Sequence, residues 1–470
     1  MQVSHTRSAV SVSFDEPNLI GSAGLVPVME LAQEAGLHAL AQGRLSVPTD
    51  KGANAGAKVA ALVAGMCAGA DSIDDMAILR HGAMKRLFTG CYAPSTLGSF
   101  LRSFTFGHVR QLDAVASRFL TNISSRAPLL GTPATTSPES GFVFVDVDDT
   151  IIQVHGYAKQ GSGYGYSGVR GLNALLATAT TTSSAPVILG QRLRRGAVGS
   201  ARGAGRMVSE ALATLGRMRP GVDTPVLVRG DSAFYGHSTV ATALAGGAEV
   251  SVTARMDKAV KKAIATIDEK AWEKIKYTDA VFDEDTGTWI SSAEVAEVDF
   301  TAFRSRKKAE RIPGRLVVRR IPELNPKKDD GQLTLFDTHR FHAFFTTTDP
   351  AVLGTVAADR VHRGHAVIEQ VNADLKDSAL AHLPSGHFGA NSAWLVAAVM
   401  AYNLTRAAGV LATGAFTKAR TGTTRNRLVN LPARIASSAR KIRLRLPEAW
   451  PWQHGFERLF ATLHPPPQAA

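Results

Sequence analysis

The sequence predicts a mixed α/β protein with a largely buried central sheet, on three observations. Two apolar runs, "FVFVDVDD" (142–149) and "TPVLVRGD" (224–231), are short, rich in β-branched residues and end in aspartates. Strand-like and helix-like stretches alternate as β-β-β-α-β-α-β over residues 141–255, the pattern of a sheet layered with helices. Ahead of them, residues 25–122 carry helical periodicity almost throughout.

The elements follow in order. Residues 1–125 are expected to form a helical N-terminal domain, with breaks at "RLSVPTDKG", "FTGCYAPS" and near Gly107. Pro94 with Ser95 or Thr96 opens one helix, and a helix carrying Lys85 and Arg86 precedes it. That pair is either an ordinary helical hairpin or a DNA-binding helix-turn-helix. Residues 126–140, rich in Pro, Ser, Thr and Gly, read as a linker.

The first part of the core, 141–255, opens with a strand over 141–154. Strands at "LNALLATATTTS" and "APVILGQRLR" come next, then a helix at "GAGRMVSEALATLGRM" and a strand running into Asp231. The helix "STVATALAGG" and the strand "AEVSVTAR" close this part. Residues 256–349 interrupt it, charged and irregular at first and then strand-rich, and read as a β-rich insertion. Residues 350–412 return to the core with a helix over about 355–377 and an apolar helix around Trp394–Leu411. The segment 413–470 is basic: from Lys418 to Arg445 cations recur without an acid, and "RKIRLRLP" alternates as an edge strand with one cationic face would.

Composition narrows the function classes. With 45% hydrophobic and 20% charged residues over 470 positions, the chain is globular rather than disordered. The net charge of +13 suits a polyanionic partner. Cys67 and Cys91 have no metal-ligand spacing, which argues against structural zinc and for a reducing compartment. No signal peptide opens the chain. The apolar stretches "VAALVAGMCAGA" and "AWLVAAVMAY" fall short of the roughly 20 residues that span a bilayer. A soluble, cytoplasmic protein with no membrane contact is expected.

The chemistry rests on "FVFVDVDDTIIQVHG", where Asp146, Asp148 and Asp149 gather on a buried strand. One reading is a phosphatase. Asp146, Asp148 and Thr150 resemble the first motif of the haloacid dehalogenase superfamily, with Asp146 as nucleophile and Asp148 as general acid. The remaining requirements fail: Tyr235 stands where a second metal-binding aspartate belongs, and Lys159 alone lies between Thr150 and Asp231 as a candidate phosphoryl-neutralising lysine. The other reading is a metal-dependent nucleic-acid enzyme, in which carboxylates from separate strands hold divalent cations on a phosphodiester. Asp148 and Asp231 supply two. A third comes from "VHRGHAVIEQVNADLKD", where His362, His365, Glu369 and Lys376 are spaced three, four and seven apart and share one helix face.

These motifs resemble those of the DDE transposases of bacterial insertion sequences, most closely the IS thirteen-eighty branch. The likeness covers residues 141–411 and rests on "RGDSAF" and on the acidic helix running into Leu375–Lys376. The Tyr and Arg positions of that group's Tyr, Arg, Glu, Lys signature are His362 and His365 here, and Arg363 is a substitute phosphate contact. The resemblance implies a ribonuclease H-like mixed-sheet core interrupted by a β-rich insertion. It implies a catalytic triad of Asp148, Asp231 and Glu369 holding two divalent cations, Mg2+ or Mn2+, with Asp146 as supporting or alternate first acid. Lys376 would contact the scissile-strand phosphate.

Double-stranded DNA, as inverted-repeat ends and as target, would be the partner of a nucleoid-associated bacterial protein acting as a homodimer in a synaptic complex. Arg192, Arg194 and Arg195 form either a groove for the DNA backbone or a solvated hairpin end. Trp289 is either a base-stacking residue or a core tryptophan. A DNA-binding derivative that has lost cleavage is the third class of function the residues allow.

Overall fold

The structure, a computed structural model, describes residues 1–2, 4–131, 137–155, 158–283, 288–322, 339–438 and 441–465. The N-terminal region is helical, with Leu25–Glu34, Leu37–Arg44, Ala55–Ala68, Pro94–Arg102 and Phe106–Ser124 as its main helices. Ahead of them lies a two-residue strand, β1 (Leu19–Ile20). Pro94 opens its helix at the first turn, as the sequence predicts. The preceding helix, which carries Lys85 and Arg86, is only the single turn Met84–Leu87. Gly82 and Gly90, both at positive φ, bracket it, so no helix-turn-helix pair forms there.

One sheet of ten strands carries the rest. Its members are β2 (Val143–Gln153), β3 (Gly163–Tyr164), β4 (Arg170–Thr180), β5 (Val187–Arg195), β6 (Val226–Gly230), β7 (Glu249–Thr253), β8 (Glu273–Asp283), β9 (Thr288–Ala302), β10 (Ile312–Pro322) and β11 (His339–Thr346). β2, β4 and β5 form an antiparallel meander, and β6 and β7 run parallel to β2 on its other side. The resulting order, β5-β4-β2-β6-β7, is the ribonuclease H-like arrangement. β11, β10, β9 and β8 then extend this same sheet beyond β7. The start of this segment, read from the sequence as irregular, contains a helix, Lys258–Ile264, and β8. The Asp257 carboxylate accepts from the Ala259 and Val260 amides and caps that helix. The side chain of Trp289, on β9, lies outside the described residues.

The helix Phe388–Ala412 holds the layers together. It is 25 residues long, well beyond its apolar centre, and long and apolar enough to cross a membrane, but its apolar window is wholly buried. It packs between the helices Ala55–Ala68 and Phe106–Ser124 on one side and β5 on the other. Its polar residues explain how it tolerates burial: Asn403 accepts from the Ile188 amide at 2.9 Å and donates to the Ile188 carbonyl at 2.8 Å. A second, three-stranded sheet joins β1 to β12 (Ala433–Ser438) and β13 (Lys441–Arg445), with the cationic β13 on the outer edge as the alternation predicts.

The helix read over 355–377 is broken. Thr355–Arg363 ends in a turn of 3-10 helix, Gly364–Ala366, and Val367–Lys376 follows. Gly364 stands at the break, and a Cβ there would be 2.8 Å from an Arg229 guanidinium nitrogen, so the close approach of Arg229 requires glycine.

Candidate active site

Register places the first two acids side by side. β2 and β6 pair in parallel, Asp146 beside Arg229 and Val147 beside Gly230. Asp148 and Asp231 are the next residues on each chain. β6 stops at Gly230 while β2 continues to Gln153, so β2 loses its neighbour at the level of Asp148 and the carboxylate faces an opening. The acids are therefore in mid-strand on β2, and the opening comes from the shorter partner. Asp148 accepts from the Asp149 amide at 2.7 Å and from Asn372 Nδ2 at 2.9 Å. Burial pushes its carboxyl up to about 6, and the negative charges of Asp231 and Asp149 add to that, against the Asp149 amide and His365. Asp231 is exposed and accepts from the Ala233 amide at 2.9 Å.

Asp146, on the same strand face, has an opposite environment. It is completely buried and takes a bidentate guanidinium, Arg229 Nε and Nη2 at 2.7 and 2.8 Å, with His365 Nδ1 at 3.0 Å. Burial alone would raise its pKa, but the Arg229 charge and the His365 and Arg229 hydrogen bonds outweigh it and hold the carboxyl below its ordinary value. Arg229 also donates to the Val361 carbonyl at 2.6 Å and lies over the Phe144 ring. Asp146 and Arg229 thus tie β2 and β6 to the turn that leads into the third-acid helix. A carboxylate enclosed in this way is no nucleophile, which counts against the phosphatase. Lys159 is also spent, donating to the carbonyls of Leu383 and Ser385.

Glu369 is exposed on the helix Val367–Lys376. Asn372 and Lys376 lie three and seven residues further along the same face. Asn372 touches Asp148, and Lys376 is close enough for the Asp148 charge to oppose the desolvation that lowers its pKa. Among the described residues, no group of three carboxylate, histidine or cysteine side chains stands close enough to hold a metal. Asp148 and Asp231 are near enough for the charge of one to raise the pKa of the other, while Asp148, Asp231 and Glu369 do not form such a group.

Several expected DNA contacts are engaged elsewhere. His362 hydrogen-bonds Ser251 at 2.9 Å and Thr253 at 3.0 Å and stacks on Phe344 at 4.0 Å. Burial pushes its pKa down to about 3, with Arg229 and Arg319 among the neighbours adding to it, and its two ring nitrogens are both taken up between helix and sheet. Arg363 bonds Asp359 at 2.9 Å. His365 is held by Asp146. Arg194 is buried on the opposite face of the sheet, paired with Asp149 and Asn173 and donating to the Ser200 and Arg202 carbonyls. Arg192 pairs with Glu210 at 3.1 Å. Both serve packing, because their strand is covered by helices on that side; Arg195, at the strand end, is exposed.

Beside the acids opens a cleft of about 580 Å³. Its lining includes His155, Lys159, Tyr166, Lys376 and His382 and, among the described residues, no carboxylate. Tyr166 is half in the field of the acids: burial and then the charges of Asp149, Asp148 and Asp231 raise its phenol pKa. Sequence reasoning missed Asn372, Arg229 and Tyr166. Asn372 could have been found, since it lies three residues after Glu369 on the polar face; the other two have no local signal.

Residues 2–468 match the family described as "Transposase DDE domain group 1", nearly the whole chain. No curated protein matches it.

Proposed function

The chain belongs to the transposases with a DDE domain, and on that premise we propose that it cleaves DNA at the ends of an insertion sequence and joins the freed 3′ ends to target DNA. Asp148, Asp231 and Glu369 would hold the divalent cations, Mg2+ or Mn2+. The observation that carries this reading is the Asp148–Asp231 pair, two carboxylates at adjacent strand positions whose mutual charge favours a cation between them. The buried Asn372 Oδ1, which has no hydrogen-bond partner, is a further oxygen beside them. The donor set is all oxygen, as hard divalent cations require. When bound, such cations supply Lewis-acid activation of water or a 3′-hydroxyl and charge neutralisation on the phosphodiester.

The chain's own residues do the rest. Asn372 orients the Asp148 carboxylate, and Asp146 with Arg229 fixes the two acid-bearing strands and the turn into the Glu369 helix. Lys376, at the cleft beside Asp148, offers a cation to a strand phosphate. Arg195 and the edge strand Lys441–Arg445 supply backbone contacts that carry no sequence information. The N-terminal helices are assigned to the DNA ends, and the working form to a homodimer holding two ends.

The test is cleavage of end-labelled DNA carrying the element's flanking inverted repeats. Magnesium-dependent nicking that leaves a 3′-hydroxyl, lost in Glu369→Gln with DNA binding retained, is the expected result. DNA binding without nicking by the unaltered protein would sink the enzymatic reading in favour of a DNA-binding derivative.

A further inference from the structure

We propose that Asn372 is a cation ligand of this site, its side-chain oxygen completing the pair formed by Asp148 and Asp231. The inference rests on the metal-dependent reading above and adds to it a residue that the acid triad does not contain.

Asn372 is 8% exposed, on the helix face that meets β2. Its amide group is half satisfied. Nδ2 donates to Asp148 Oδ2 at 2.9 Å, while Oδ1 is buried with no hydrogen-bond partner. The two ends of the amide are told apart by that neighbour, since an ionised carboxylate only accepts and so must face the NH2. An orphaned buried amide oxygen is costly, by the full desolvation of the group, and calls for a partner. Rotating the amide by half a turn, which brings Oδ1 toward the acid, is favourable only if something positive stands between Asn372 and Asp148. Oδ1 would then replace Nδ2 beside the Asp148 carboxylate, and two oxygens about 3 Å apart can chelate one hard cation. In the metal-free protein the same rotation sets two oxygens against each other, so the amide waits with its NH2 toward the acid. Asn372 thus plays a double part, a hydrogen-bond donor to Asp148 when the site is empty and an oxygen ligand when it is filled.

The alternative is that Asn372 only orients Asp148. Two substitutions separate the roles. Asn372→Leu keeps the branched shape and removes both oxygen and donor. Asn372→Asp keeps the oxygen, adds a second and removes the donor. Mn2+ binding to the full chain, read by electron paramagnetic resonance of the free ion, is the measurement, with thermal unfolding as a check that each variant folds.

If Asn372 is a ligand, Leu weakens Mn2+ binding by roughly 10- to 100-fold. Asp, which adds a charged ligand, then tightens it by about tenfold. Weakening by both substitutions to the same degree would overturn the ligand role, as would unchanged binding in Asn372→Leu. The wider reading fails separately: it falls if Asp148→Asn leaves Mn2+ binding intact, whatever the Asn372 variants do. If the Leu variant unfolds, Asn372→Ala takes its place, with weakened Mn2+ binding expected for a ligand and unchanged binding against it.

Discussion

Asp146 and Asp148 are the same residue type on the same face of one strand, two positions apart, and they differ in what stands next to them. Asp146 is buried against a guanidinium that grips both its oxygens; Asp148 is partly buried against an amide and a second carboxylate. The first is a closed ion pair and its pKa is low. The second is an unneutralised charge whose pKa has risen to about 6. A cation of the protein's own turns a carboxylate into a structural tie. The lack of one leaves the charge of Asp148 without a counter-ion of the protein's own, as the proposed cation site requires.

The contrast can be broken most forcefully at Asp146. Asp146→Asn leaves Arg229 buried without its counter-ion and should cost about 3–5 kcal/mol of stability, read by urea unfolding. A loss no greater than that of a surface substitution would mean the tie is not structural. Next comes the metal. Mg2+ at a hundred times its dissociation constant should stabilise the unaltered protein by about 2.7 kcal/mol and Asp148→Asn hardly at all, read as a shift in Tm.

Third, without metal, Asp148→Asn should itself gain about 2 kcal/mol at pH 7, since it deletes an ionised carboxylate the fold disfavours. The sign is set by proton uptake. With its pKa raised from 3.8 to about 6, folded Asp148 binds more protons than unfolded across that window. Its contribution therefore makes the metal-free protein lose stability as pH rises from about 3.8 to about 6, a slope absent in Asp148→Asn. Asp146 contributes oppositely, its lowered pKa adding stability that disappears as pH falls.

The smallest effect separates another pair of neighbours. Arg195→Ala should leave stability within about 0.5 kcal/mol. It should also lower the salt slope of DNA binding by about one counter-ion. An unchanged slope would remove Arg195 from the DNA surface.

The same distinction explains what could be read early. The β2–β4–β5 meander, the β6 run into Asp231 and the helix Ala204–Met218 were legible because apolar periodicity within each segment is a local property. The apolar runs into Asp148 and Asp231 were legible because a short apolar run meeting an aspartate is a local signal, although β2 continues past Asp148 to Gln153. The close approach at Gly364 was not, since it depends on Arg229, remote in sequence, occupying the space where a side chain would stand. His362, Arg192 and Arg194, expected to contact DNA, are engaged within the protein for a related reason. A polar residue at helical or strand spacing looks alike whether it faces solvent or a buried partner such as Ser251, Glu210 or Asp149.

The sequence by itself determined the layered α/β class, the net positive charge and the residue types able to hold a cation, because these follow from composition and short-range pattern. Only the tertiary structure decided which aspartate is neutralised and which is left open, that Asn372 stands against Asp148, and that Glu369 is exposed on its helix. Electrostatic environment is a sum over neighbours in space, and residues 83 or 224 positions apart become neighbours only when the sheet and the helix meet.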